Sequence, residues 1–231
     1  MNRSYVHVIG AGGHAKVVVR ALRDLGFTVA AVFDDDPQRW GTELLGCPVY
    51  GPIERIRWRP ETPAVIAIGQ NELRQRIAAA YDLEWATVVH PSALVDPTVE
   101  LGPGTVVLQR AVIQADSRIG THAIVNTAAT VDHDCTLGDF VHVAPGAHLA
   151  GGVTLGAGVL MGIGAVAVPG TTIGAGTVVG AGAAVVADLP ANVVARGVPA
   201  RVARRIALES PRKPARQISP AESLAAESRA A

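Results

Sequence analysis

A large aliphatic residue recurs at every sixth position from Val89 to Val185. Fifteen of these seventeen positions hold Val, Leu or Ile, and the other two are Met161 and Ala167. The position four residues further along is nearly always small or β-branched. Large and small side chains spaced in this way fill the narrow interior of a triangular coil. The pattern predicts a parallel β-helix of hexapeptide repeats over residues 87–206.

Three hexads make one turn of 18 residues, so the seventeen hexads give between five and six turns. A β-sandwich is the alternative, but it would show irregular loops and a period of two. The period leaves the hand of the coil open, and parallel crossovers in general favour a right-handed turn.

The first 86 residues show a different pattern, which predicts a Rossmann-like α/β domain with a βαβ opening. We expect strands at 5–9, 28–33 and 63–68, a loop at 10–14, and helices at 15–25 and 72–81. Residues 207–231 are rich in Ala, Ser, Glu, Arg and Pro without any repeat, and we expect a mostly disordered tail.

The loop after the first strand reads Gly10-Ala11-Gly12-Gly13-His14-Ala15, and Asp34 to Asp36 follow the second strand. Glycines allow a phosphate to approach the backbone, and a helix start offers free amides. A dinucleotide needs two such halves, so a nucleotide-linked sugar fits this small domain better. The alternative is that the glycines only make a tight turn and the acidic residues only cover a strand end.

His133 occupies an outward-facing position of the repeat between Asp132 and Asp134. A carboxylate bonded to one ring nitrogen fixes the tautomer and raises the basicity of the other, which suits a general base. The alternative is a surface histidine among solvated acids. His142 lies nine residues further on, half a turn away, so the two histidines would meet only across chains. A symmetric trimer with active sites at its subunit interfaces would allow this.

Three histidines of the repeat also raise the alternative of a metal-dependent lyase, because γ-class carbonic anhydrases bind metal between subunits of such coils. His122, His142 and His148 would be the ligands. Their spacings of 20 and 6 give no coherent ligand geometry, so we expect no metal.

Composition and charge argue against several classes of function. Twenty basic residues balance twenty acidic ones, so no net field recruits nucleic acid or an anionic membrane. Cys47 and Cys135 suit neither a disulfide framework nor a zinc site. The first residues lack the pattern of a secretory leader, so we expect a cytoplasmic protein.

Six segments, spread over residues 4–205, resemble the sugar acetyltransferases of bacterial glycan synthesis. The nearest group contains N-acetyltransferases of nucleotide-linked 4-amino sugars, of the bacillosamine-pathway and perosamine types, and proteins named sialic acid O-acetyltransferases. The resemblance implies a left-handed coil and acetyl-CoA as co-substrate. The segments are GAGGHAKVV, FDDD, AIGQNELRQRI, NTAATVDHDC, LGDFVHVAPGAHLAGGV and GVPAR.

The resemblance also implies roles for single residues. His133 is the implied base and Asp134 the residue that raises its basicity, although the bacillosamine-type enzyme has Glu at that position. The implied contacts of acetyl-CoA are His142, Ile163 and Ala181, the last in place of a Gly. The implied contacts of the nucleotide-linked sugar are Gly12, Gly13, His14, Asp34, Asp35 and Gly69, with Asn126 near the reacting centre.

These features together predict transfer of an acetyl group from acetyl-CoA to the amino group of a nucleotide-linked 4-amino-4-deoxy sugar. We expect direct attack, because no Cys or Ser of the sequence has a recognisable activating partner. O-acetylation of sialic acid or a related sugar is the nearest alternative. A scaffold that binds a nucleotide-linked sugar without catalysis is another.

Overall fold

The computed structural model describes residues 4–58 and 61–207. The predicted disordered tail, apart from residue 207, lies outside the described residues. Within the described part of the chain, no helix is long and apolar enough to cross a membrane.

The N-terminal region folds as a five-stranded sheet with the strand order β3-β4-β2-β1-β5. Strand β1 is parallel to both β2 and β5, and β3 pairs antiparallel with β4. Short 3-10 helices cover Pro37–Arg39 and Ile53–Trp58. The other elements are β1 (Tyr5–Ile9), α1 (Gly13–Asp24), β2 (Thr28–Phe33), β3 (Glu43–Leu44), β4 (Cys47–Tyr50), β5 (Ala64–Ile66) and α2 (Asn71–Ala80).

The predicted βαβ opening is confirmed, with shifted ends. Helix α1 begins at Gly13 rather than at residue 15, because Gly12 already serves as its extended N-cap. Helix α2 begins and ends one residue earlier than predicted, and β5 is three residues shorter than the predicted strand 63–68. Strands β3 and β4 were not predicted, since each is short and β4 carries a proline at its second position.

The predicted coil is confirmed, and it contains seventeen two-residue strands, each of which ends at one of the predicted aliphatic positions. These are β6 (Val88–Val89), β7 (Leu94–Val95), β8 (Glu100–Leu101), β9 (Val106–Val107), β10 (Val112–Ile113), β11 (Arg118–Ile119), β12 (Ile124–Val125), β13 (Thr130–Val131), β14 (Thr136–Leu137), β15 (His142–Val143), β16 (His148–Leu149), β17 (Thr154–Leu155), β18 (Leu160–Met161), β19 (Val166–Ala167), β20 (Thr172–Ile173), β21 (Val178–Val179) and β22 (Ala184–Val185).

The coil strands form three parallel sheets, and every third strand belongs to the same sheet. From β6 to β22, paired residues of neighbouring strands lie 18 positions apart in the chain, as Val112 and Thr130 do. The first sheet has eight strands because an antiparallel hairpin, β23 (Val193–Arg196) and β24 (Arg201–Arg205), is added at its C-terminal end. The second sheet has six strands and begins at β7, and the third has five and begins at β8.

The interior of the coil consists of straight rows of identical or similar side chains. Ala residues occupy five successive turns at one corner, and all are fully buried. Larger aliphatic side chains fill the space beside them, each contributing about 1.5–3 kcal/mol through burial. The alanine row is Ala111, Ala129, Ala147, Ala165 and Ala183.

The N-terminal region packs directly on the first turns of the coil. Val88, Val106 and Leu108 of the coil are buried in one core with the apolar face of α1. At the end of α1, Asp24 lies 3.1 Å from Nε2 of His90. The two parts therefore share a continuous apolar core, which holds the N-terminal sheet against the coil.

Candidate functional site

A cleft of about 440 Å³ opens where β1 and β2 end and the segment after β5 begins. Parallel strands present their carboxyl ends at one edge of a sheet, where ligands of open α/β sheets bind. The cleft brings together the six residues predicted to contact a nucleotide-linked sugar: Gly12, Gly13, His14, Asp34, Asp35 and Gly69.

The glycines of the loop serve two different purposes. Gly10 has a φ of +101°, and a Cβ atom there would lie 2.6 Å from Cγ1 of Ile68, so this glycine is required by the turn itself. At Gly12 and Gly13 an added Cβ atom would meet nothing within 4 Å. These two residues stand at the start of α1 with open space before them, as a phosphate site requires.

The acidic residues after β2 are tied into the loops of the cleft. Asp34 accepts hydrogen bonds from the amides of Ala11 at 2.6 Å and Asp36 at 2.9 Å. Asp35 accepts from the amide of Ile53 at 2.8 Å. Asp34 therefore shapes the loop as well as lining the cleft.

His142 of β15 lies beside the cleft, where it contacts Gly69. Its Nδ1 lies 3.1 Å from the carbonyl oxygen of Gly69, and its Nε2 lies 3.0 Å from Nδ2 of Asn126. Since Oδ1 of Asn126 accepts the amide of Thr127, Nδ2 is the atom that donates to the ring. His142 thus carries its proton on Nδ1 and donates it to Gly69. The ring of His14 lies 6.2 Å away, centre to centre.

The two imidazoles at the cleft are neutral at physiological pH. Burial, and then the nearby Arg74 cation, lowers the pKa of His14 to about 4. Burial also lowers the pKa of His142 to about 4, and Arg74 and His14 act in the same direction against the Gly69 hydrogen bond. Neither ring is suited to hold a proton taken from a substrate at neutral pH.

The predicted acetyl-CoA contacts lie along one edge of the coil. His142 lies on β15, and Ile163 and Ala181 lie two residues after the ends of β18 and β21. These three strands are successive strands of the same sheet. The amide of Gly164 donates to the carbonyl of Pro145, and the amide of Gly182 donates to the carbonyl of Ile163. The corner residues of successive turns are therefore stacked on one another. The side chain of Ile163 is 63% exposed.

His133 lies on a different side of the same coil, in the turn after β13 of the second sheet. Its Nδ1 is 2.7 Å from Oδ2 of Asp134, and the side chain is 62% exposed. The Asp134 hydrogen bond, with the charge of Asp132, raises the pKa of His133. In one chain the structure therefore does not bring His133 to the side of the coil that carries His142.

The three histidines considered as metal ligands do not converge in the chain. His122 is buried between Trp85, 4.8 Å away, and Phe140, on which it stacks at 5.3 Å. His148 is exposed on the second sheet and contacts Oγ1 of Thr130. The described residues contain no group of three or more His, Cys, Asp or Glu side chains that could hold a metal ion.

One residue of this region was not predicted. Arg74 of α2 is completely buried at the junction of sheet and coil, where it donates to main-chain carbonyls of both. The sequence places it only on a helix, and its acceptors at His122 and Phe140 lie 48 and 66 residues away.

A family model described as the PglD N-terminal domain matches residues 5–81. A UDP-N-acetylbacillosamine N-acetyltransferase of Bacillus subtilis is 39% identical over 109 residues, which are 45% of this chain and 50% of that protein. An uncharacterised mimivirus protein is 33% identical over 104 residues, 45% of this chain and 21% of that one. The matched segments thus span half or less of these curated relatives.

Solved structures match nearly the whole described chain. A variant of perosamine N-acetyltransferase from Caulobacter crescentus, in complex with CoA and GDP-perosamine, is 48% identical with a TM-score of 0.81. The match covers 85% of this chain and 95% of that one. The acetyltransferase domain of PglB from Neisseria gonorrhoeae is 39% identical with a TM-score of 0.81, over 87% of this chain and 100% of that one.

Proposed function

The chain belongs to the PglD-type family of nucleotide-sugar N-acetyltransferases, and on this premise we propose that it acetylates the amino group of a nucleotide-linked 4-amino-4-deoxy sugar with acetyl-CoA. The observation that carries the proposal is the meeting of the nucleotide cleft with the coil. Gly69 of the cleft and His142 of the coil are joined by a hydrogen bond of 3.1 Å. A sugar held in the cleft would lie beside the edge that continues to Ile163 and Ala181.

In the proposed reaction the sugar amine attacks the thioester carbonyl of acetyl-CoA. A C–N bond forms, the C–S bond breaks, and CoA leaves as a thiolate. Nε2 of His133 takes the proton of the amine, because Nδ1 of His133 donates to Asp134 and leaves Nε2 as the basic atom. The neutral His142, together with Asn126, orients the reacting groups by hydrogen bonding. No covalent enzyme intermediate is required.

In the proposed complex, the start of α1 binds the nucleotide. The open space at Gly12 and Gly13 receives the phosphates of the sugar nucleotide, and the free amides of the helix donate to them. His14 and Asp35 contact the remaining groups of the nucleotide or the sugar. The acidic Asp34 holds the loop in shape.

The test is a panel assay that measures CoA release and product mass. Pure protein and acetyl-CoA are incubated with UDP-, GDP- and dTDP-linked 4-amino sugars and with free sialic acid. We expect an N-acetylated product from at least one nucleotide-linked sugar. Acetylation of sialic acid alone would support the O-acetyltransferase alternative, and sugar-nucleotide binding without CoA release would support a non-catalytic scaffold.

We further propose that the working enzyme is a homotrimer with an active site at each subunit interface. His133 lies half a turn of coil away from the cleft of its own chain, so a neighbouring chain must supply it. The second sheet, which bears His133 at its edge, also exposes apolar side chains: Leu94 is 69% and Val166 37% exposed. Packing these against a neighbour would remove apolar surface from water.

Mixed trimers provide a direct test of the shared site. His133→Ala removes the base, and Gly13→Asp places a carboxylate where the phosphates would bind, in space that holds no protein atoms. Each variant alone should be nearly inactive. Co-expressed chains should regain about a quarter of the wild-type activity, since random assembly pairs an intact cleft with an intact His133 at that frequency. No recovery in confirmed mixed trimers would contradict the shared site, and a fully active monomer by light scattering would exclude it.

A further inference from the structure

The guanidinium of Arg74 lies at the centre of the junction between the N-terminal sheet and the coil. On the sheet side it donates from Nη1 to the carbonyl of Ile68 at 3.0 Å and, more weakly, to that of Gly69 at 3.4 Å. On the coil side Nε donates to the main-chain carbonyl of His122 at 2.7 Å, and Nη2 donates to that of Phe140 at 2.8 Å. Five donors in a rigid planar fork can serve several acceptors at once.

This cation has no carboxylate partner among the described residues; its acceptors are main-chain carbonyls and the side chain of Asn71 at 2.9 Å. Burial lowers the pKa of Arg74 to about 10, so it still carries its charge at neutral pH. Burying a cation without a counter-charge costs free energy, and the hydrogen bonds of Arg74 to the carbonyls of Ile68, His122 and Phe140 offset that cost. The same bonds tie the sheet to the coil.

The contacts of Arg74 converge on His142 from two directions. Gly69, which Arg74 contacts on the sheet side, accepts the proton of Nδ1 of His142. Phe140, which it contacts on the coil side, lies two residues before His142 in the chain. Asn71, which Arg74 contacts, adds a hydrogen bond to the next turn of the coil, where its Nδ2 donates to the carbonyl of Gly158 at 2.9 Å. One guanidinium thus holds the backbone on both sides of the Gly69–His142 hydrogen bond.

We infer that Arg74 is a positioning residue that holds the nucleotide cleft against the coil and thereby fixes the orientation and tautomer of His142. Its effect on turnover rests on the proposed acetyl transfer, whereas its effect on His142 does not. A loosened junction would move the bound sugar relative to the edge of the coil that carries Ile163 and Ala181. Misplacement by about 1 Å at a reacting centre costs up to about 100-fold in rate.

The charge of Arg74 acts in the same sense as its hydrogen bonds. Among the described residues, the groups that contact His142 or act on its charge are Arg74, His14, Asn126 and Gly69, and none of them is anionic. A nearby cation disfavours a second positive charge on the ring. The neutral ring keeps Nε2 as an acceptor for Asn126, which itself lies at the same edge of the coil.

The test compares three variants of the full-length chain. Arg74→Met keeps the length of the stem but removes the charge and all donors, and Arg74→Lys keeps the charge but not the fork. Arg76→Met is the matched control, since Arg76 is exposed on the same helix. Histidine ¹⁵N NMR spectra recorded against pH report the tautomer and the pKa of His142, and steady-state kinetics report turnover with both substrates.

We expect His142 to hold its proton on Nδ1 in the wild type and in Arg76→Met. Both Arg74 variants should show a mixture of tautomers, and only Arg74→Met should show a raised His142 pKa. For kcat/KM we expect a fall of about 10- to 100-fold in Arg74→Met, a smaller fall in Arg74→Lys and no change in Arg76→Met. Should Arg74→Met fail to fold, the tautomer and kcat/KM of Arg74→Lys decide alone.

Wild-type ¹⁵N shifts of His142 and wild-type kcat/KM in a folded Arg74→Lys or Arg74→Met would overturn the inference. Failure of the proposed function would look different. In that case the wild type itself would release no CoA with any sugar nucleotide, while the NMR comparison of the variants would still test how Arg74 acts on His142.

Discussion

At the scale of single residues, the pair of His133 and Asp134 combines exposure with a short hydrogen bond. Nδ1 of His133 lies 2.7 Å from Oδ2 of Asp134, and this contact raises the pKa of the imidazole. A base with a raised pKa accepts a proton more readily but is free only at higher pH. The proposed reaction should therefore lose rate as the pH falls through the pKa of His133.

Asp134→Asn tests this coupling. Loss of the carboxylate lowers the pKa of His133, so the acidic limb of kcat/KM against pH should move to lower pH while the plateau rate falls, by about 10-fold or more. Asp116→Asn is the matched control, because Asp116 occupies the equivalent position one turn earlier, at a φ of +59° like that of Asp134. An acidic limb that stays in place would show that His133 is not the group that titrates.

Gly151 provides a second test of His133 without touching it. This glycine lies one turn after His133, and an added Cβ atom would come within 2.6 Å of Cε1 and Nε2 of the ring. Gly151→Ala should force the flexible ring aside, which lowers kcat by about 10-fold or more with little loss of stability. Activity assays paired with thermal melts check it. Unchanged kcat would mean that the ring position seen here is not the reactive one.

The outward position of His133 could be predicted from the sequence because the hexad frame alone decides which positions leave the coil. The role of Arg74 could not be predicted in the same way. Its acceptors are backbone carbonyls of a different part of the fold, and main-chain groups leave no signature in residue type. The same holds for the bond between His142 and Gly69, which are 73 residues apart.

At the scale of elements, one corner of the coil stacks backbone directly on backbone. Gly102, Gly120, Gly138, Gly156 and Gly174 follow each other at intervals of 18 residues. A Cβ atom on any of the first four would lie 2.5–2.6 Å from main-chain atoms of the next turn, and at Gly174 it would lie 2.3 Å away. Side chains are therefore excluded from this corner by the spacing of the turns.

Gly138→Ala should destabilise the coil by about 1–3 kcal/mol, because the Cβ atom would lie 2.6 Å from the backbone nitrogen of Ala157 and the turns would have to separate. Denaturant unfolding measures the change. Thr136→Ala, at an exposed position of the adjacent strand β14, is the control and should change the free energy of unfolding by less than about 0.5 kcal/mol. Equal stability of both variants would contradict tight stacking at the corner.

Among the elements, the seventeen coil strands were predictable because each turn needs its own large aliphatic residue at a fixed spacing. Strands β3 and β4 lacked such a signal. Glu43 and Pro48 are exposed, and β4 owes its place to pairing with β2 rather than to its own pattern. The α-helix starts were displaced because Gly12 and Gln70 cap the helices without a side-chain hydrogen bond.

At the scale of the whole molecule, three neutral histidines lie where the N-terminal sheet meets the coil. Burial and the charge of Arg74 lower the pKa values of His14, His122 and His142 to about 4. An unfolded chain would protonate these rings near pH 6.5. The unfolded state therefore binds more protons than the folded state between these pH values, and stability present above about pH 6.5 is lost as the pH falls towards 4.

Denaturant titrations at several pH values between 7 and 4 should show this fall in the free energy of unfolding. His122→Asn should reduce the dependence of the free energy of unfolding on pH, because Asn removes a titrating ring. Asn also tolerates the φ of +50° at this position. Thr136→Ala, which changes an exposed side chain without an ionisable group, should leave the dependence on pH unchanged. A slope that His122→Asn does not alter would exclude the buried ring as a source of acid sensitivity.

The pairing of each residue with the one 18 positions later also limits how the length of this chain can change over generations. Loss or duplication of an 18-residue block between His142 and Ile163 would shift the later residues by about 4.8 Å along the coil and keep every side chain on its face. A gain of six or twelve residues would move every later side chain to another of the three sides of the coil. Homologous genes should therefore differ in coil length by multiples of 54 nucleotides, and other insertions should be found only as loops that project from the corners.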